Sequence, residues 1–181
     1  MQTFAVYVDN KPGVLNRIAS LIRRRAFNIE SLTVGHTERP GLSRMTIVVN
    51  TDERGARLVE ANLYKLIPVR RVDNITKLPQ ISRDLALIKV SAVGDARTQV
   101  MQLVDVYRAR IVDVSPESLV IETTGAEDKI DSLLEVLRPY GVIEMARTGR
   151  LAMTRAARSG TPAGSAVPSS TTHDPQVSYS V

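Results

Sequence analysis

Three residues early in the chain are of types that could hold a small charged ligand: Asn10, Gly13 and Asn28. Asn10 and Gly13 sit in the break Asn10-Lys11-Pro12-Gly13, just ahead of an amphipathic stretch, and Asn28 follows it. Pro12 cannot donate to a strand ladder, and Gly13 carries no side chain to block close approach. The first turn of a helix leaves backbone N–H groups free, and their positive end of the helix dipole favours an anion. For a free amino acid, Gly13, Val14 and Leu15 would offer N–H donors to the carboxylate, and a carboxamide oxygen would accept from the ammonium. Leu15, Ile18 and Ile29 would supply apolar walls. The plainer reading stands beside it: Asn10 makes an Asx turn, Gly13 starts a helix and Asn28 ends it.

The elements that must position these residues follow from periodicity. Phe4, Val6 and Val8 alternate in a strand over Thr3–Val8. A helix over Gly13–Arg25 places Val14, Leu15, Ile18, Ala19, Leu21 and Ile22 on one face, with Arg17, Ser20, Arg23 and Arg24 mostly opposite. Strands are expected over Ile29–Thr37, Leu42–Asn50 and Val69–Lys77. Between the last two, Thr51-Asp52 caps a helix that buries Leu58, Val59, Leu63 and Leu66. After a short linker over residues 79–83 the order repeats. A strand over Leu85–Val93 precedes a helix carrying Val100, Leu103, Val104 and Tyr107. Strands over Arg110–Val114 and Glu117–Thr124, a helix burying Ile130, Leu133, Leu134 and Leu137, and a strand over Val142–Gly149 complete the repeat. The expected fold is α+β: two tandem ferredoxin-like βαββαβ modules, over residues 1–78 and 84–158, each with its helices on one face of an antiparallel sheet. Leu151–Arg158 is expected to add a turn or two of helix. Residues 159–181, rich in Ser, Thr, Pro, Gly and Ala, are expected to form a disordered tail.

Composition narrows the chemistry. The chain has 181 residues, 43% of them hydrophobic, but only five Tyr, two Phe and no Trp, so its cores must be aliphatic. It has no cysteine, which excludes disulfides, thiolate metal sites and cysteine nucleophiles and is compatible with a cytoplasmic location. Its start lacks the pattern of a signal peptide, and no apolar run nears the roughly 18 residues of a membrane span. The net charge of +5 raises nucleic acid as a partner, but so few aromatics supply no platform for stacking bases. No metal-ligand cluster, nucleophile elbow or phosphate-cradling glycine loop is present, and of the two histidines His36 reads as a surface residue. An enzyme is not expected.

Three runs carry a more specific signal: Asn28-Ile29-Glu30-Ser31-Leu32-Thr33-Val34, Leu42-Ser43-Arg44-Met45-Thr46-Ile47 and Glu144-Met145-Ala146-Arg147-Thr148-Gly149. With the opening Asn-x-x-Gly pattern they resemble the ACT-domain family, and more closely the small regulatory subunits of acetolactate synthase, over about residues 1–155. The resemblance implies an N-terminal ACT domain, a C-terminal ACT-like domain and a non-catalytic chain. It implies a large catalytic subunit as partner, one that carries thiamine diphosphate, Mg2+ and FAD while this chain carries no cofactor. It also implies activation of that subunit, feedback inhibition by valine in branched-chain amino-acid biosynthesis, and a homodimer through ACT domains with the effector at their interface. The effector contacts it implies are Asn10, Gly13 and Asn28, with backbone contributions near Val14, Leu15 and Ile29; no catalytic or metal-binding residue and no membrane or nucleic-acid partner is implied. The second module has Val93-Gly94-Asp95-Ala96 at the matching turn, where Asp95 would repel a carboxylate, so no equivalent site is expected there. The alternative, from another class, is a basic tandem ACT-type transcriptional regulator that binds nucleic acid.

Overall fold

The structure, a computed structural model, describes residues 1–156. The expected tail over residues 159–181 lies outside them.

The first module runs β1 (Gln2–Asp9), α1 (Val14–Arg24), β2 (Ile29–His36), β3 (Leu42–Val49), α2 (Glu53–Leu63) and β4 (Val69–Asn74). Its sheet has the order β2-β3-β1-β4, with every neighbouring pair antiparallel. Period-two alternation sends Phe4, Val6 and Val8 of β1, and Met45, Ile47 and Val49 of β3, to one face. Val14, Ile18 and Ile22 of α1 meet that face at four-residue steps, and Ala56, Val59 and Leu63 of α2 at steps of three and four. Asp52 caps α2 as expected, its side chain accepting from the Gly55 N–H at 2.7 Å.

The second module runs β5 (Gln80–Ser91), α3 (Asp95–Val106), β6 (Arg110–Val114), β7 (Ser118–Gly125), α4 (Glu127–Leu137), a short 3-10 turn (Arg138–Tyr140) and β8 (Val142–Arg147). Its order β6-β7-β5-β8 repeats that of the first sheet. Ala86, Ile88, Val90, Leu119 and Ile121 pack against Val100 and Val104 of α3 and Ile130, Leu133 and Leu137 of α4. The architecture is therefore the expected pair of βαββαβ modules.

Four details differ from expectation. Leu58 is exposed, because the inner face of α2 is taken by Ala56, Val59, Asn62 and Leu63 instead. The buried Asn62 is accommodated by hydrogen bonds, donating to the Leu58 carbonyl at 2.7 Å and accepting from Arg25 at 3.2 Å. The fourth strand ends at Asn74, where the Asn74 side chain takes up the Thr76 N–H and hydroxyl in a turn. The expected linker over residues 79–83 and helical turn over Leu151–Arg158 give way to strand at residues 80–83 and Leu151–Thr154, residues 157–158 lying outside the described ones. β5 begins at Gln80, and residues 80–83 pair antiparallel with β9 (Leu151–Thr154). Backbone groups that look free in each stretch separately satisfy one another, a pairing across about seventy residues that no local pattern reveals. Among the described residues no helix is long and apolar enough to cross a membrane.

Candidate functional site

The turn from β1 into α1 is drawn tight by backbone bonds: Asn10 N–H to the Gly41 carbonyl (2.8 Å) and Lys11 N–H to the Asp9 carbonyl (2.9 Å). Gly13 then adopts φ +80°, the left-handed region where a side chain is strained. Crowding is not the reason for glycine, since a Cβ there would meet nothing within 4 Å. The helix begins without a side-chain cap and without an acidic residue in its first turn. The N–H groups of Gly13, Leu15 and Asn16 find no acceptor among the described residues, while Val14 N–H makes only a long 3.4 Å bond to the Lys11 carbonyl. The other helices differ. α2 is capped by Asp52, α3 has Asp95 in its first turn, and α4 has Glu127 and Asp128. The α1 N-terminus thus leaves donors and a dipole of the kind an anion could take.

The neighbouring charge is arranged to agree. Asp9, the residue before Asn10, is held by the Arg70 guanidinium at 2.6 and 2.9 Å and by Lys11 at 3.2 Å. The Arg70 hydrogen bonds hold its carboxyl below the usual carboxylate range, so it stays ionised but neutralised by its partners. Asn10 is exposed, its amide nitrogen 3.4 Å from Nδ1 of His36. Val14 is buried in the core and offers only its backbone, whereas Leu15 is 44% exposed and forms an apolar lip.

Asn28 and Ile29 lie elsewhere. Asn28 follows the C-terminal end of α1, at the head of β2, and its amide donates to a Glu30 carboxylate oxygen at 2.6 Å. His36, beside Asn10, is the last residue of β2. Eight residues of strand span roughly 26 Å and eleven of helix roughly 16 Å, so the two groups stand at opposite ends of the module. One chain brings Asn10, Gly13, Val14 and Leu15 together and leaves Asn28 and Ile29 apart from them. Residues that bracket a helix in sequence are separated by its length in space. Sequence reasoning also passed over two neighbours, His36 and Glu30, which hold the Asn10 and Asn28 carboxamides; only the fold places them there.

β2 is an edge strand of its sheet, as β4 is on the other side, and Val34 lies on its exposed stretch. An edge strand of this kind is open to pairing with another chain. At the matching turn of the second module Gly94 has φ +58° and Asp95 opens the helix, as the sequence indicates. Among the described residues no group of three or more His, Cys, Asp or Glu side chains is placed to hold a metal ion.

Comparison with known proteins supplies an independent line. Residues 4–71 match the family model for the AHAS small subunit-like ACT domain, and residues 83–156 that for the small subunit of acetolactate synthase. The chain is 52% identical over 153 residues to a probable acetolactate synthase small subunit of Archaeoglobus fulgidus, covering 84% of this chain and 96% of the relative. It is 46% identical over 156 residues to the acetolactate synthase small subunit of Mycolicibacterium smegmatis, covering 86% and 92% respectively. The fold is similar to the crystal structure of the acetolactate synthase small subunit from Thermotoga maritima, with a TM-score of 0.83, 42% identity, and 87% and 98% of the two chains covered.

Proposed function

The chain belongs to the acetolactate synthase small-subunit family, and from that premise we propose that it is the non-catalytic regulatory subunit that activates a large catalytic subunit and makes it sensitive to inhibition by valine. On this reading the thiamine diphosphate, Mg2+ and FAD of the reaction belong to the large subunit, and both work in the cytoplasm. The observation that carries the effector assignment is the uncapped N-terminus of α1, with three free N–H groups and a neutralised Asp9 beside it. The effector carboxylate takes those donors. Its ammonium takes carboxamide oxygens, and its side chain lies between apolar residues.

The site closes through a homodimer. Two copies pairing along β2 about a two-fold axis run their edge strands antiparallel, which sets the Asn28 end of one beside the Asn10 end of the other. The separation within one chain then becomes proximity between two: Asn10, Gly13 and Leu15 face Asn28 and Ile29 of the partner subunit. Glu30, bonded to the Asn28 amide nitrogen, turns that carboxamide so its oxygen is free to accept.

The nucleic-acid alternative rests on the net charge of +5 alone. Tyr7, the aromatic on the far face of the first sheet, has the guanidinium of Arg44 at 5.8 Å and that of Arg71 at 5.7 Å from its ring, so its faces are not open to bases. The test is reconstitution. The purified chain alone should form no acetolactate; added to the large subunit it should raise the rate, and valine should lower it again. Acetolactate formation by the isolated chain, or no effect on the large subunit, would overturn the proposal.

A further inference from the structure

Of the three runs on which the family resemblance rests, the third lies about a hundred residues beyond the first two, yet all three meet at one junction between the modules. The ladder of β9 with the head of β5 lies across the far face of the first sheet, where Ala152 is fully buried with Ala5, Ile75 and Tyr7. From the second run, the Arg44 guanidinium donates to the Ala152 carbonyl and to Thr46 Oγ1 (3.1 Å). From the first run, Ser31 Oγ accepts the Arg150 N–H at 2.6 Å. From the third, Gly149 is packed so closely that a Cβ there would fall 2.7 Å from both the Leu32 carbonyl oxygen and Thr33 Oγ1. Thr148 Oγ1 accepts the Leu85 N–H at 3.0 Å, and the Arg150 side chain pairs with Glu127 in the first turn of α4. Gly149 and Arg150 are thus fastened to β2 on one side and to the core elements of the second module on the other.

β2 also carries Asn28 and Ile29 at its head. Its pairing with β3 slips between Ile29 and Ser31, so Glu30 is an extra, bulged residue. That single residue separates the proposed effector contacts from the junction, and its carboxylate is bonded to the Asn28 amide. The junction is not fully satisfied either: Thr33 Oγ1 and Gln80 Oε1 are buried without a hydrogen-bond partner among the described residues. An interface with unpaired buried groups has a reason to hold a second arrangement close in free energy.

We infer that the contact of Ser31–Thr33 with Gly149–Arg150 is the coupling joint through which effector occupancy at the head of β2 reaches the C-terminal module. The inference rests on the valine-sensing reading above. Effector binding orders Asn28–Glu30, fixes the bulge and holds Ser31–Thr33 against Gly149–Arg150; the clamped second module is the inhibited state. Ser31 and Gly149 are positioning residues, outside the proposed effector contacts. A joint of this kind transmits only if the ligand binds one of its arrangements better than the other.

Two variants and one measurement on the native chain test this. Gly149→Ala forces a side chain against the Leu32 backbone, while Ser31→Ala removes a single acceptor and is the milder change should the first fail to fold. Each variant, with the large subunit and at valine concentrations shown by calorimetry to saturate it, should keep most of its uninhibited rate where the wild type is inhibited. Valine affinity should fall by no more than about tenfold, the reciprocal of the lost coupling. In the wild-type chain, valine should slow hydrogen exchange at the Arg150 and Ala152 amides. Variants inhibited like the wild type at saturation, or exchange there that valine leaves unchanged, would overturn the joint while leaving valine sensing intact. A wild-type chain that binds no valine would overturn the sensing reading and the joint with it.

Discussion

Replacing Gly13 by Asp separates charge from bulk at the proposed carboxylate subsite. The position has φ +80°, and a Cβ there meets nothing within 4 Å, so the chain itself offers no clash. The left-handed backbone costs an L residue about 1–2 kcal/mol, least for Asn and Asp, whose short polar chains bond locally. An Asp at the N-terminus of α1 recovers about 0.3–1 kcal/mol from the helix dipole. The sum is a net loss near 1 kcal/mol or less, worth a melting shift within about 4 °C for a chain of this size. Against a ligand carboxylate the same side chain competes for the N–H groups of Leu15 and Asn16 and adds a like charge, which costs several kcal/mol in a binding site. Taking about 3 kcal/mol, valine weakens by roughly a hundredfold. Gly13→Asn matches Asp in size and backbone tolerance but lacks the charge, and should lose about tenfold or less, one 1.4 kcal/mol step. The assays are valine titration of the reconstituted enzyme, calorimetry on the isolated chain and a thermal melt on each preparation. Wild-type valine response in Gly13→Asp, or equal losses in Asp and Asn, would refute the assignment of this helix end to the carboxylate.

Arg70→Gln strips Asp9 of its bidentate partner and leaves a carboxylate facing the subsite, so valine should weaken about two- to fivefold, the scale of an exposed ion pair. Asp9 has a depressed carboxyl pKa in the folded chain, so its pairing stabilises the fold above the unfolded value, about 3.9. The melting difference between wild type and Arg70→Gln should persist from pH 7 to about pH 4 and vanish as pH falls through the depressed folded value. Leu133→Ala, fully buried on the inner face of α4, should cost about 2–5 kcal/mol in denaturant unfolding while leaving valine affinity of the folded chain unchanged. A chain ending at Arg158 should still activate the large subunit, because the matched family models end by residue 156; loss of activation on removing residues 159–181 would count against it.

How legible the molecule is in its sequence depends on the range of the interaction. Helices and strands repeat at periods of 3.6 and 2, so Val14, Ile18 and Ile22, or Phe4, Val6 and Val8, announce their elements and faces locally. The cap at Asp52 is equally local. The ladder of β9 with β5 is not: Pro79-Gln80-Ile81-Ser82 reads as a linker and Leu151-Ala152-Met153-Thr154 as the start of a helical turn, and only the pairing of residues 80–83 with 151–154 makes them strand. Leu58 fails for another reason. A helix over a sheet has one buried stripe, and the polar Asn62 occupies part of it because Arg25 and the Leu58 carbonyl satisfy its amide. At the candidate site, residue types and the helix start were legible, and distance was not. Asn10 and Asn28 bracket α1 in sequence, but the helix between them carries the chain across the module, and β2 returns it to His36 beside Asn10.

That separation makes the account's central claim open to one direct measurement. If each effector site combines Gly13 of one chain with Asn28 of its partner subunit, two defective variants can repair each other. Gly13→Asp and Asn28→Ala chains, each alone binding valine far more weakly than the wild type by calorimetry, are unfolded together, refolded and assayed as a mixture. In a mixed dimer one site carries both defects and the other carries neither. Valine binding should therefore return at wild-type affinity, at one site per mixed dimer. A mixture that binds no more valine than the two variants measured separately would place each site within a single chain and contradict the dimeric sensor.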